Sequence, residues 1–177
     1  MASIQVCLAR SSLARDRVIL YFPDGLPGFE RDRHFTVSAP ADLAPVVCLQ
    51  SLKSPQLRLW AAPVPAVDAR YSLDISREDL RTLGLDTARR PVMDEDVVCL
   101  AILCLAEGSR LTANLLAPIV VNVRTHVALQ AVRSDTRYSH RHLISPAPVS
   151  EKRHSGSSPW PSAPGSVKPQ DAAEDTC

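Results

Sequence analysis

Eight short runs of β-favouring residues, each cut off by proline, glycine, aspartate or serine, constrain this chain more than any other feature. They are Ile4–Leu8, Arg17–Phe22, His34–Ser38, Val46–Ser51, Leu57–Ala61, Val97–Leu105, Ile119–Val123 and Val127–Val132. Runs this short at such regular spacing predict a mainly β fold: a small antiparallel β-barrel-like domain, its sheet closed or folded on itself. Ile119 to Val123 is almost all β-branched, which suits a pleated strand. The next run alternates, with Val127, Leu129 and Ala131 on one face and His126, Gln130 and Val132 on the other. Thr112 and Asn114, ahead of Pro118, predict a short capped turn.

Helix is scarce, one or two short pieces at most. The clear one opens at Ser76, an N-cap serine with Asp79 three residues on, and stops at Gly84. Leu80 and Leu83 mark its buried stripe, and a helix this short must dock on the sheet to persist. The proline-spaced stretch 63–71 reads as an irregular connection, and 89–96 as a polar turn. From Ser145 the character changes. Of the last 33 residues 15 are Pro, Ser or Gly, too little apolar matter to offset the entropy of ordering, so 1–144 is expected to be the folded domain and 145–177 a disordered tail.

The formal net charge of +1 gives no global field for nucleic acid or an acidic membrane. No apolar run is long enough to span a bilayer, and the N-terminus lacks a basic region followed by an apolar core, so a cytoplasmic location is expected. Cys7, Cys48, Cys99, Cys104 and Cys177 form no C-x-x-C pair. The first four read as small hydrophobes in strands, Cys99 and Cys104 pointing to opposite faces; Cys177 reads as an exposed thiol. Neither a metal site nor a disulfide is expected.

Three segments invite a chemical reading. The turn Asp24-Gly25-Leu26-Pro27-Gly28 lacks the Gly-Lys-Ser/Thr of a phosphate loop; its glycines fit positive φ in a tight turn. Leu26 and Phe29 are either anchors of that loop or contacts for a partner, with anchoring favoured. Asp135, Ser139, His140 and His142 bring acid, hydroxyl and imidazole together, but on one segment without a supported nucleophile, so no enzyme is expected. There Asp135 is expected to form a turn and accept hydrogen bonds from backbone or from Arg137, and Tyr138 to pack its ring. Arg133, Arg137 and Arg141 recur at intervals of four, yet with eight aromatics in the whole chain a stacking platform for RNA is not supported. Asp94-Glu95-Asp96 is either a soluble turn or a dock for a basic partner.

Thr112-Ala113-Asn114-Leu115-Leu116-Ala117-Pro118-Ile119-Val120-Val121-Asn122, followed by Asp135-Thr136-Arg137-Tyr138-Ser139-His140-Arg141-His142, resembles the core of the flagellar assembly factor FliW family. Two further blocks are similar to that family, in the same order: Val18-Ile19-Leu20-Tyr21-Phe22-Pro23-Asp24-Gly25-Leu26-Pro27-Gly28-Phe29-Glu30, and Cys48-Leu49-Gln50-Ser51-Leu52. The resemblance implies a cofactor-free protein, monomeric alone, that binds flagellin in the cytoplasm and also binds the translational repressor CsrA. Flagellin occupancy then leaves CsrA free to repress flagellin messenger RNA; export of flagellin reverses this, by contact away from the RNA-binding surface. A direct RNA-binding regulator is the alternative. Family members are commonly acidic, whereas residues 1–144 carry 17 Lys plus Arg against 15 Asp plus Glu. Steering toward a basic CsrA is correspondingly weaker here than the case for flagellin. Candidate partner contacts are Leu26, Phe29, Asn114, Arg137, Tyr138 and His142.

Overall fold

The structure, a computed structural model, describes residues 18–106, 108 and 110–144. The run Ile4–Leu8, Cys7, Cys177 and the expected tail lie outside the described residues. Among those described there are nine strands: β1 (Val18–Tyr21), β2 (His34–Ser38), β3 (Val47–Ser51), β4 (Arg58–Pro63), β5 (Val97–Ala106), β6 (Arg110–Ala113), β7 (Ile119–Asn122), β8 (Ala128–Gln130) and β9 (His142–Leu143). Two short helices, α1 (Val64–Val67) and α2 (Arg77–Thr82), and a 3-10 turn at Ala41–Leu43 complete the elements.

Every ladder is antiparallel, and the path runs β1-β2-β3-β4-β5 before it branches. Strand β5 is the pivot. Val97–Leu100 pairs with β7, which carries β8, while Leu103–Ala106 pairs with β6, which carries β9. A single parallel bridge joins Tyr21 to Val127, and Tyr21 N donates to the His126 carbonyl at 3.0 Å. The two ends of the sheet therefore meet without a closing ladder. The domain is barrel-like, not a sealed barrel.

Two cores lie on opposite faces of β5, β7 and β8. Inside the curve, Leu20, Phe22, Phe35, Val37, Leu49, Val98, Leu100, Ile119 and Val121 pack together, with Phe22 and Phe35 edge to face at 5.3 Å. On the outer side, Val97, Cys99, Ala101, Val120 and Ala131 pack under Val64, Tyr71 and Leu83. Central strands buried on both faces read as unbroken apolar runs, which is why Val97–Ala101 shows no alternation in the sequence. Each fully buried Val, Leu, Ile or Phe among them contributes roughly 1.5–3 kcal/mol by burial. Helix α2 docks as its sequence dictates. Ser76 Oγ accepts from Asp79 N at 3.0 Å, Leu80 and Leu83 are buried, and Gly84 takes φ +69° at the end. Asn122, fully buried, donates from Nδ2 to the Leu83 carbonyl at 2.9 Å and accepts from Arg124 N, tying the β7–β8 turn to the helix end.

Three readings of the sequence need correction. Thr112 is not in a turn but in β6, its hydroxyl donating to the Cys104 carbonyl at 3.0 Å; Arg-Leu-Thr-Ala is too short to show a period. The connection after Pro63 contains one helical turn, α1, started by a proline whose fixed φ suits a helix N-terminus. Cys104 is exposed, because β5 runs past the barrel at that point, whereas Cys48 and Cys99 are buried as strand hydrophobes. Burial holds the Cys99 thiol up at about 12.

A candidate protein-binding groove

Beyond Ile102, β5 leaves β4 behind and continues as the first strand of a small sheet with β6 and β9. Directly paired residues share a face, and Cys104 opposes Thr112, Ala106 opposes Arg110, and Thr112 opposes Leu143. That face lines an open groove of about 790 Å³, with Ile102, Leu105, Asn114, His140 and Arg141 completing its walls. Of this lining, Leu105 is 76 % exposed and Leu143 is exposed as well. Large apolar side chains gathered in a concavity, edged by Arg110, Arg141 and His140, suit a protein partner: an apolar centre and a polar rim.

The groove floor depends on a backbone excursion. Ala113 pairs with Leu103 and Ile119 with Leu100, so the five residues Asn114–Pro118 pass opposite only Ala101 and Ile102. Such a loop survives only if its polar backbone is satisfied. Asn114 N donates to the Ile102 carbonyl at 2.9 Å, Leu115 N to Ser139 O at 3.1 Å, and Ala117 N to Asn114 Oδ1 at 3.0 Å. The carbonyls of Leu116, Ala117 and Pro118 accept from Arg133 N, Gln130 Nε2 and Ala131 N. Tyr71 adds its hydroxyl to the Leu115 carbonyl at 3.4 Å.

The segment 132–141, whose end gives His140 and Arg141 to the groove wall, is held by Arg133. Its guanidinium lies 5.1 Å from the Tyr71 ring centroid and 4.9 Å from that of Tyr138, and the two rings are themselves 4.7 Å apart. It donates to both oxygens of Asp135, at 3.0 and 2.8 Å, and to the Ser72 carbonyl. Ser134 Oγ donates to Asp74 at 2.7 Å, stitching the same two segments a second time. The electrostatics follow from these contacts. Arg133 holds the Asp135 carboxyl below the ordinary range, Ser134 does the same for Asp74, and burial raises Tyr71. The Asp135 pair pushes Arg133 above the usual guanidinium value. Arg133 is 6 % exposed, so it does not belong to a solvated basic row with Arg137 and Arg141, which are exposed. Asp135 forms its turn through Arg137 N, at 3.3 Å, while its side-chain partner is Arg133.

The singled-out residues separate clearly. Asn114 lines the groove; His142 sits beside it in β9 but pairs with Ala113 on the opposite face. Arg137 is exposed and Tyr138 half-buried, its ring on Tyr71. Leu26, 2 % exposed, is an anchor in the barrel core, while Phe29 is 43 % exposed on the same β1–β2 loop. Gly25 and Gly28 both take positive φ there. Ser139 Oγ accepts from Arg141 N, and Asp135 is taken up by Arg133, so the acid, hydroxyl and imidazoles form no hydrogen-bonded relay among the described residues. Among those residues there is also no group of three or more His, Cys, Asp or Glu able to hold a metal, and no helix long and apolar enough to cross a membrane. Arg133 was illegible as a buried group; its only signal was an aromatic, Tyr138, five residues on.

The model of the FliW protein family matches residues 9–144, and so takes in every strand described above, the groove and the Arg133 clasp. The chain belongs to the FliW family of flagellar assembly factors. It is 35 % identical over 132 residues to the flagellar assembly factor FliW of Pseudothermotoga lettingae, covering 73 % of this chain and 80 % of the relative. The Bacillus subtilis factor is 31 % identical over 131 residues, 73 % of this chain and 87 % of that one. A crystal structure of the flagellar assembly factor FliW superposes with a TM-score of 0.61 at 29 % identity, covering 72 % of this chain and 86 % of the other. This FliW-family chain therefore shares with its relatives the mainly β domain that frames the groove.

Proposed function

We propose that the protein is a cytoplasmic regulator that binds flagellin and antagonises CsrA by protein–protein contact, coupling the flagellin level to flagellin translation. The observation that carries this reading is the groove at β5, β6 and β9. It offers exposed leucines and an adaptable ring of donors, with Arg137 on the adjoining segment. Its walls are pre-set by the Asn114–Pro118 hydrogen bonds and the Arg133 clasp, so little ordering entropy opposes association. The switch needs only two protein ligands whose complexes exclude one another, since each then weakens the other by the same factor.

The test is a pull-down from flagellated cells with and without secretion blocked, paired with titrations of purified flagellin and CsrA. Blocking secretion should raise the flagellin retained and lower the CsrA retained. In the titrations, Leu105→Asp or Arg137→Ala should weaken at least one partner by roughly 1–3 kcal/mol, as central interface truncations do. If both variants bind both partners like the parent, the groove is not the contact surface.

A further inference from the structure

A second concavity shares no residue with the groove. Arg31, Arg33, His34, Leu52 and Lys53 line an open cleft of about 390 Å³ where the end of the β1–β2 loop meets the β3–β4 turn. Its walls are fixed by backbone bonds: Leu52 N donates to the His34 carbonyl at 2.9 Å, and Phe22 N to Arg33 O at 2.8 Å. The charge is fixed by how neighbouring acids are used. Asp32, between the two arginines, points inward and is buried, accepting from Ser51 Oγ. Ser51 Oγ in turn accepts from Lys53 N at 3.1 Å and Ser54 N at 2.9 Å, which shapes the turn that presents Leu52 and Lys53. Glu30, on the other side of Arg31, folds back to accept from Gly28 N at 2.8 Å. The Ser51 hydroxyl keeps Asp32 ionised, and backbone N–H groups do the same for Glu30. Neither acid forms an ion pair among the described residues, although the Lys53 charge lies near enough to Asp32 to favour its ionised form. The two ion pairs among the described residues lie elsewhere, at Arg89–Asp96 and Arg133–Asp135.

Three exposed cations that form no ion pair among the described residues, around an exposed leucine, make a cleft that is electrostatically unfinished. We propose that this cleft docks a short acidic segment of a partner protein, two or three carboxylates flanking one apolar residue that rests on Leu52. Arginine forks match carboxylates in bidentate geometry, and a rigid wall keeps them apart enough to receive two of them. Nucleic acid fits less well. The lining holds one ring, His34, tilted against Tyr21 at 5.0 Å, too few for successive bases to stack, and the chain's net charge of +1 supplies no field along a polyanion.

The probe is a fluorescein-labelled, C-terminally amidated hexapeptide of sequence Gly-Glu-Leu-Asp-Glu-Gly, titrated by anisotropy against the full chain in about 0.05 M salt. Its counterpart with Gln and Asn in place of the acids, and a six-nucleotide RNA, run beside it. The acidic peptide should bind with a dissociation constant below about 1 mM, and its amide counterpart should not bind in that range. The exposed side chains allow Arg31→Glu and Arg33→Glu to be combined without touching the core, and the pair should weaken the acidic peptide at least about tenfold at an unchanged melting midpoint. Three results each overturn the proposal: no peptide binding; peptide binding that the paired reversal leaves intact; or RNA binding that the reversal removes while the peptide stays unbound. Peptide binding that appears only after residues 145–177 are cut away also overturns it, by making this chain's own acidic stretch around Glu174 the occupant.

Discussion

Replacing Arg133 with alanine is the sharpest perturbation of the site's framework. The guanidinium is desolvated against two aromatic faces at about 5 Å, each worth about 1 kcal/mol at a partly buried site. It also donates to the Ser72 carbonyl, a bond from a charged donor that contributes roughly 1.5–3 kcal/mol. Its pair with Asp135 adds little, because that carboxylate is 45 % exposed and regains water when released. Arg133→Ala should therefore cost roughly 3–5 kcal/mol, near a 10–15 °C fall in melting midpoint for a domain of this size. Urea denaturation followed by tryptophan fluorescence measures it directly. Arg133→Lys separates charge from shape: the ammonium stays positive but loses the planar fork that lies against both rings, and should recover less than half of the loss. Combining Arg133→Ala with Tyr138→Ala should give a loss smaller than the two single losses together, since both remove the same stacking contact. A cost below about 1 kcal/mol for Arg133→Ala, or full recovery with lysine, would show that the clasp does not hold residues 132–141 in place.

The β1–β2 loop offers a paired test. A Cβ on Gly25 would sit 2.5 Å from Glu30 Cα and 2.7 Å from its carbonyl oxygen at φ +73°, whereas one on Gly28, at φ +83°, meets nothing within 4 Å. Gly28→Ala should cost about 1 kcal/mol of strain and Gly25→Ala clearly more, readable in the same urea titration. Asp96 is held at about 2, first by the Arg89 guanidinium and then by Val92 N, and Asp32, Asp74 and Asp135 are also lowered. Carboxyls lowered by folding stabilise fully above their ordinary value near about 4 and lose that contribution as pH falls through the folded value. The melting midpoint should be flat above about pH 5 and fall between about pH 4 and 2, with a shallower fall for Asp96→Asn. A chain ending at Ile144 should keep the midpoint and the flagellin affinity of the full chain; a loss of several degrees would show that residues 145–177 pack on the domain.

What the sequence made legible was set by how local each cause is. The capped helix at Ser76 and the positive-φ glycines at 25 and 28 are decided by a few adjacent residues, and both appear where the pattern placed them. Long strands buried on one or both faces were visible from their apolar content, as in His34–Ser38 and Val97–Ala106. Strands β6 and β9 were not, because four residues and two residues carry too little period, and their pairing follows from β5 overrunning the barrel. Leu26 and Phe29 look alike three residues apart, yet one is in the core and the other in solvent; the turn geometry between Gly25 and Gly28 decides that, not residue type.

The site was harder to read because its chemistry is tertiary. Arg133 and Tyr71 lie more than sixty residues apart, and only the fold turns an ordinary arginine into a buried cation against a pair of rings. The same logic runs in reverse at the second concavity. Arg31, Asp32 and Arg33 read as a neutralising run along the chain, but the end of the β1–β2 loop turns the acid inward to Ser51 and leaves the cations outside. A nearly neutral net charge is thus compatible with two surfaces of distinct character: a groove with exposed leucines and a small cleft edged by Arg31, Arg33 and Lys53. Two such surfaces on one rigid domain are what a protein needs if it is to meet more than one partner through contacts alone. Mutations confined to either one should leave the other's binding unchanged, because the surfaces share no lining residue.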